Sequence, residues 1–379
     1  MASDIAIVGA GIGGLTTGIA LAQRGIAFRI FEAAPELREA GAGIWVPPNA
    51  LEVLARLGAA KAVKEAGTPI EVAELSDYRA GVLQRAETRS SLGYATIAIH
   101  RGALQKLLAE RIPRESLCVG RKCSGVEAQD GAVLVRFADG ETFEASAVIG
   151  ADGLASSVRG TLFPKVQPNY SGQTSWRGVV DYELPQRFDR VSAEIWAPRR
   201  RFGFSSIGGR RTYWYATADA PAGTRLSADE AKSKLTSLFK EFAEPVPSLI
   251  AETPAEAMIQ TDLSDLDPQA QWTSGRIALL GDAAHATTPN LGQGGAQAIE
   301  DAWVIANQIA QRDPIEDAFA EYERRRRPKA SMLIRRARQM GRMAHLGSTG
   351  ARLMRNMMVR QTPASITRRE LDKIYQPPL

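Results

Sequence analysis

Two aspartates, each closing an apolar run beside glycines, are the residues of this chain best placed to do chemistry. Asp282 follows Ile277-Ala278-Leu279-Leu280-Gly281, and Pro289-Asn290-Leu291-Gly292-Gln293-Gly294-Gly295-Ala296 comes shortly after it. A carboxylate ahead of a glycine-rich turn, whose backbone amides open into a helix, suits an anion or a flat, hydrogen-bonding ring system. Asp152 repeats the pattern in Gly150-Ala151-Asp152-Gly153, after the apolar stretch from Ala145 to Ile149. Near the N-terminus Gly9-Ala10-Gly11-Ile12-Gly13-Gly14 is a G-x-G-x-x-G run, and Glu32 stands about twenty residues further on. In that pattern Gly9 permits a tight turn, Gly11 lets a pyrophosphate approach the backbone, and Gly14 lets helix and strand pack closely. Glu32 would accept hydrogen bonds from a ribose. The combination predicts a dinucleotide, and three glycine bends suggest one ligand gripped from several strand ends.

These groups need particular elements beneath them. A strand is expected from Asp4 to Val8, a helix from Leu15 to Arg24 capped by Gly25, and a second strand from Ile26 to Phe31. Another buried strand should deliver Asp282. The helix after it should begin at Ala296, with Glu300 and Asp301 near the positive end of its dipole. Residues 41–49 read as a loop of small residues. Residues 70–97 and 116–150 show short alternating runs, and composition shifts between Tyr170 and Trp272, where tryptophans gather. Antiparallel strands are expected at Gly178–Tyr182, Val191–Trp196, Phe202–Ile207 and Thr212–Ala216, with a helix over residues 228–243. Arg201 and Tyr213 stand out as polar groups on two of those strands. The aromatic face is either an ordinary sheet core or the wall of an apolar pocket. Pro328 is expected to break the helix of residues 314–327.

Composition narrows the function. The 379 residues are 44% hydrophobic and 23% charged, ordinary for a globular enzyme of two or three packed units. No apolar run approaches the ~20 residues of a membrane helix, and the expected compartment is the cytoplasm. Two cysteines, Cys118 and Cys123, and three histidines make a zinc or His-based metal site improbable. The net charge of +5 is concentrated in an arginine-rich stretch from Arg324 to Arg360. Without a binding fold or interleaved aromatics, that stretch does not read as a nucleic-acid site. It is either a solvated helix face or a patch for an anionic partner.

Taken together, the three glycine motifs resemble those of the single-component, FAD-dependent aromatic monooxygenases of the p-hydroxybenzoate hydroxylase type. The last run is most similar to urate hydroxylase and zeaxanthin epoxidase-like members. The resemblance spans nearly the whole chain. It implies an α/β fold: a Rossmann-like FAD-binding domain (1–70, 98–172 and 273–327), an inserted, mostly antiparallel β-sheet substrate domain (71–97 and 173–272), and C-terminal helices (328–379). It implies FAD as cofactor, NAD(P)H as transient co-substrate, O₂, and a small aromatic or heteroaromatic substrate to be hydroxylated or epoxidised. Oxygen would pass through a flavin C4a-hydroperoxide. Glu32 would bind the adenosine ribose, with Ala33 beside it, and Gly9, Gly11, Gly13 and Gly14 the pyrophosphate. Arg101 would sit near the phosphates, Asp282 on the ribityl chain, and the amides of Gly292 to Ala296 against the isoalloxazine, with Trp45 and Pro289 nearby. Asp152 would serve FAD and NAD(P)H. Arg201 and Tyr213 would fall on substrate-binding positions, and His285 and Tyr213 are candidates for a general base. One departure is Asn290, where the urate enzyme has an aspartate. Alternatives are another FAD oxidoreductase of this fold (oxidase, reductase or halogenase-like) or a flavin-bound interaction protein. The oligomeric state expected is monomer or homodimer.

Overall fold

The computed structural model describes residues 4–37, 41–79, 81–89 and 93–377. Short apolar runs form a parallel sheet. Ile5–Val8, buried along its whole length, lies between Phe28–Phe31 and Ala147–Gly150 and is parallel to both. The register sets Val8 opposite Phe31 and Gly150, so three strand ends finish level. Ile277–Leu279 adds to the far side of Ala147–Gly150, and Thr273–Ser274 and Leu117–Cys118 form the two edges of the six-stranded sheet. The helix Ile12–Ala22 packs against Gly294–Gln311 and Arg101–Ala109. In such sheets the crevice at the carboxyl ends of the central strands is the ligand position.

The second large sheet has seven strands, in the order Ile259–Asp265, Asn169–Asp181, Arg211–Asp219, Arg200–Ser206, Val191–Ala197, Val72–Asp77 and Gly81–Glu87. All of its neighbours run antiparallel except Val191–Ala197 and Val72–Asp77. Alternation along the strands decides what each face does. Trp176, Phe202, Phe204 and Trp214 pack into a core with Leu235 and Phe239, Phe202 stacking on Trp214 at 5.4 Å. Their odd-numbered neighbours Ser175, Arg177, Arg201, Tyr213 and Tyr215 line a cavity. The aromatic residues are therefore core on one face and pocket wall on the other. The covering helix Ala228–Phe239 is fixed by a capping box: Ser227 Oγ accepts the Glu230 amide, and the Glu230 carboxylate accepts that of Ser227.

Three expectations need correction. The first helix starts at Ile12, inside the glycine run. Glu300 and Asp301 lie beyond the first turn of Gly294–Gln311, which holds no acid, and both are wholly buried against the long C-terminal helix. That helix, Ile315–Ala344, continues through Pro328. Proline removes one backbone hydrogen bond and crowds the preceding turn. Here Arg326 and Lys329 on either side are tied to Glu300, and Ala330, Leu333 and Ile334 are buried. Tertiary packing overrides the local preference.

Candidate active site

The cavity between the two sheets has a volume of about 360 Å³, and residues from all three expected glycine motifs reach its wall, although Asp152 itself does not. In the first bend, Gly9 has φ 102°, and a Cβ there would lie 2.6 Å from the carbonyl oxygen of Ala151. A Cβ on Gly14 would collide with the Gly9 carbonyl. Gly9 and Gly14 thus allow close packing of backbone, while Gly11, with open space where its Cβ would be, faces the cavity together with Gly13. That uncluttered cradle at a helix N-terminus fits a pyrophosphate. Glu32 braces the bend: its Oε2 accepts the Ala10 amide at 2.8 Å and its Oε1 the Ala34 amide at 2.9 Å. Glu32, Ala34 and Gln105 line a cleft next to the cavity, and Arg101 lines both. Ala33 is exposed and lines neither.

At the second bend Ala151 and Gly153 line the cavity. The Asp152 side chain turns away: its Oδ2 accepts the amides of Ser157 and Val158 at 2.7 and 3.2 Å, and its Oδ1 is buried without a hydrogen-bond partner among the described residues. At the third bend Gly281 has φ 61° and swings Asp282 to the cavity wall. Asp282 touches the open lumen yet is enclosed by protein, which raises its carboxyl pKa against the pull of His285 and Arg101. Pro289, Gly292, Gly294 and Gly295 complete that wall, Gly292 in the left-handed region at φ 62° with Trp45 3.2 Å from where its Cβ would sit. Gln293 and Ala296 are buried behind it. The Gln293 side chain accepts from Asn49 and Gln297 at 3.1 and 3.0 Å, so only their backbone faces the turn.

His285, one of the two candidate bases, lies off the cavity. It is buried beside Trp272, its Nε2 2.6 Å from Asp301 Oδ2, and does not line the cavity. Asp301 also accepts the Gly281 amide at 3.0 Å and Arg326 Nε at 2.7 Å. Burial alone would raise its carboxyl pKa, but the fields of His285 and Arg326 and their hydrogen bonds bring it down to about 2. This network locks the bend that presents Asp282.

On the opposite wall, Arg201 is almost inaccessible to solvent and its guanidinium is committed. Nη1 pairs with Glu194 at 3.1 Å, Nε donates to Thr217 Oγ1 at 3.1 Å, and Nη2 donates to Asn290 Oδ1. An arginine already neutralised by a neighbouring carboxylate is a poor anion hook. Glu194 also accepts from Trp196 Nε1 at 2.6 Å and from the Tyr215 hydroxyl. Burial pushes Tyr213 up to about 12, against the fields of Arg177 and Arg201. Burial and then the Glu194 charge drive Tyr215 well above its ordinary range. Both are neutral hydroxyls. Arg177, Glu194 and Tyr215 were missed from the sequence; the usable signal was their phase, an even number of residues from neighbours on the lining face. Arg177 donates through Nη2 to Thr261 at 2.8 Å, while its buried Nε has no partner.

Residues 2–337 match the family described as "FAD binding domain". The chain is also 40% identical, over 94% of its length and 93% of the relative's, to aurachin C monooxygenase/isomerase of Stigmatella aurantiaca. The chain belongs to the group A flavin monooxygenases. This monooxygenase is 30% identical to the FAD-dependent urate hydroxylase of Klebsiella pneumoniae, over 89% of its own length and 90% of that protein. It shares 30% identity with the 2-heptyl-3-hydroxy-4(1H)-quinolone synthase of Pseudomonas aeruginosa, over 98% and 97% of the two chains. Its fold matches Klebsiella pneumoniae HpxO complexed with FAD and uric acid, with TM-score 0.89, 28% identity and coverage of 98% and 97%. The monooxygenase is an FAD-dependent enzyme acting on aromatic substrates.

Proposed function

We propose that the monooxygenase hydroxylates an uncharged, bicyclic N-heteroaromatic ring bearing a polarised carbonyl, of the 4-quinolone class, using NAD(P)H and O₂. The observation that carries this reading is the Arg201–Glu194 pair, which takes Arg201 away as an anchor for a benzoate-type anion and leaves Arg177 as the guanidinium beside it. What the wall offers instead is flat apolar surface from Trp45 and Tyr213, neutral tyrosine hydroxyls, and the Arg177 side chain. The names of the quinolone and urate relatives point to bicyclic N-heterocycles bearing ring carbonyls.

In this reading the six-stranded sheet and the helices packed on it bind FAD and the seven-stranded sheet binds substrate. FAD, when bound, supplies the redox and oxygen chemistry. The bend at Gly11 and Gly13 receives the pyrophosphate, Glu32 and Arg101 flank the adenosine side, and Asp282 takes hydroxyls of the ribityl chain. The amides of Gly292 to Gly295, at the positive end of Gly294–Gln311, stabilise negative charge arriving on the ring system. Arg177 orients the substrate carbonyl, and Trp45, Tyr213 and Tyr215 exclude water from the reacting face. The Glu194 carboxylate, reached through the Tyr215 hydroxyl, accepts a proton from the substrate ring N–H or O–H. Screening phenols, benzoates, N-heterocycles and quinolones for stimulated NAD(P)H oxidation tests the reading. Stimulation by quinolones with a product one oxygen heavier is expected; stimulation confined to benzoates or phenolates would overturn it.

A further inference from the structure

The helix Thr349–Gln361 is mounted with its polar side inward. Arg355 and Asn356 are buried, both within hydrogen-bond or ion-pair reach of Asp77 Oδ2, and Arg355 lies 4.7 Å over the Trp196 ring. The outward arc carries Leu353, Met354, Met357 and Met358, which are 53–64% exposed. Positions 353, 354, 357 and 358 fall on one side of an α-helix, so these four form a continuous apolar stripe. Ile366, on the next helix, Ala364–Tyr375, is 49% exposed. Single exposed apolar residues are ordinary, but a contiguous stripe of large ones marks an interaction surface.

Charge identifies what covers it. From residue 332 to 377 the cations are Arg335, Arg336, Arg338, Arg342, Arg352, Arg355, Arg360, Arg368, Arg369 and Lys373, against only Glu370 and Asp372 as acids. Arg336, Arg338 and Arg355 are paired internally with Glu370, Asp265 and Asp77. Arg335, Arg342, Arg368 and Arg369, on the helices before and after the stripe, are solvent-exposed. A second copy docked symmetrically on this face would set like charges against each other, whereas an anionic bilayer complements them. Leucine and methionines on one side with arginines at the margins are the features of a helix lying in the plane of a lipid interface.

We propose that this face is a membrane-docking surface. The helix Thr349–Gln361 inserts its Leu353–Met358 stripe among the acyl chains of an anionic phospholipid surface, and the exposed arginines engage the phosphate headgroups. The buried side of the same helix contacts Trp196, which donates to Glu194 on the cavity wall, so the docked face stands directly behind the catalytic cavity. No helix among the described residues is long and apolar enough to cross a membrane; the contact is peripheral.

The test is flotation of the FAD-loaded full chain with vesicles of phosphatidylcholine alone or mixed with phosphatidylglycerol. Co-flotation with the mixed vesicles is expected, falling about tenfold or more on neutral vesicles and weakening at high salt. The variant Met354→Gln/Met357→Gln/Met358→Gln should lose binding about tenfold while retaining FAD and soluble-substrate turnover. Arg368→Glu/Arg369→Glu should weaken binding to the mixed vesicles alone. The proposal is overturned if the native chain stays with the unbound fraction, or if the methionine variant floats as well as the native chain. It is equally overturned if sedimentation shows a non-floating dimer that the methionine variant splits, since the stripe would then belong to a second copy.

Discussion

Replacing Asp301 with asparagine removes one charge from the centre of the network that shapes the Gly281–Asp282 bend. Asp301 is inaccessible to solvent and takes donors from His285, Arg326 and Gly281 at 2.6, 2.7 and 3.0 Å. The gap between its pKa of about 2 and the ordinary 3.8 corresponds to roughly 2–3 kcal/mol of stability at neutral pH. Because the folded-state value is depressed, that contribution is fully present above the ordinary carboxyl range and is lost as pH falls through about 2. Asp301→Asn removes it and leaves Arg326 with one paired carboxylate among the described residues, Glu300 at 2.6 Å, besides the Gln297 side chain. A loss of about 2–4 kcal/mol is therefore expected. Thermal melts of the holoenzyme from neutral to acidic pH, followed by circular dichroism and by released flavin fluorescence, measure it. The variant should melt several degrees lower at neutral pH, release FAD earlier, and show a flatter decline of Tm on acidification. An unchanged Tm with the native pH profile would refute the reasoning.

Other substitutions probe the cavity. Asp282→Ala should yield protein largely stripped of FAD, read from the flavin-to-protein absorbance ratio; native flavin content would remove Asp282 from the cofactor site. Glu194→Gln frees the Arg201 charge, so KM for an uncharged substrate should rise about tenfold while binding of benzoate-type anions improves; unaltered selectivity, read by substrate titration, would count against the proposed wall. Tyr213→Phe should lower kcat/KM about tenfold, by loss of one substrate hydrogen bond. With a pKa of about 12, Tyr213 stays protonated across the neutral range, so the pH–rate profile should keep its shape. A shifted limb would assign Tyr213 an acid–base role.

The parts of the site legible from sequence were those that depend on backbone. Gly9, Gly11, Gly14, Gly281 and Gly292 report where the chain must bend or be approached closely, and three such bends finish on one cavity. Side-chain roles were less legible, because they depend on which face a residue takes and who reaches it from afar. Arg201 was found, but its neutralisation by Glu194 required the strand register. His285 stood beside Asp282 in sequence and was assigned chemistry, yet Asp301, on the following helix, turned it into a brace. Arg177 and Tyr215 were hidden within aromatic runs whose alternate members form the core. Pro328 reads locally as a helix end; only the buried Arg326 and Lys329 contacts, formed with a helix nearly thirty residues earlier, carry the helix past it.

The most direct measurement of the central claim is product analysis after turnover of the FAD-loaded enzyme with a 4-quinolone, NAD(P)H and isotopically heavy O₂. Ring-hydroxylated product carrying one heavy oxygen, formed in step with NAD(P)H consumption, is the predicted result. NAD(P)H consumption that is indifferent to the quinolone and yields only hydrogen peroxide would contradict it.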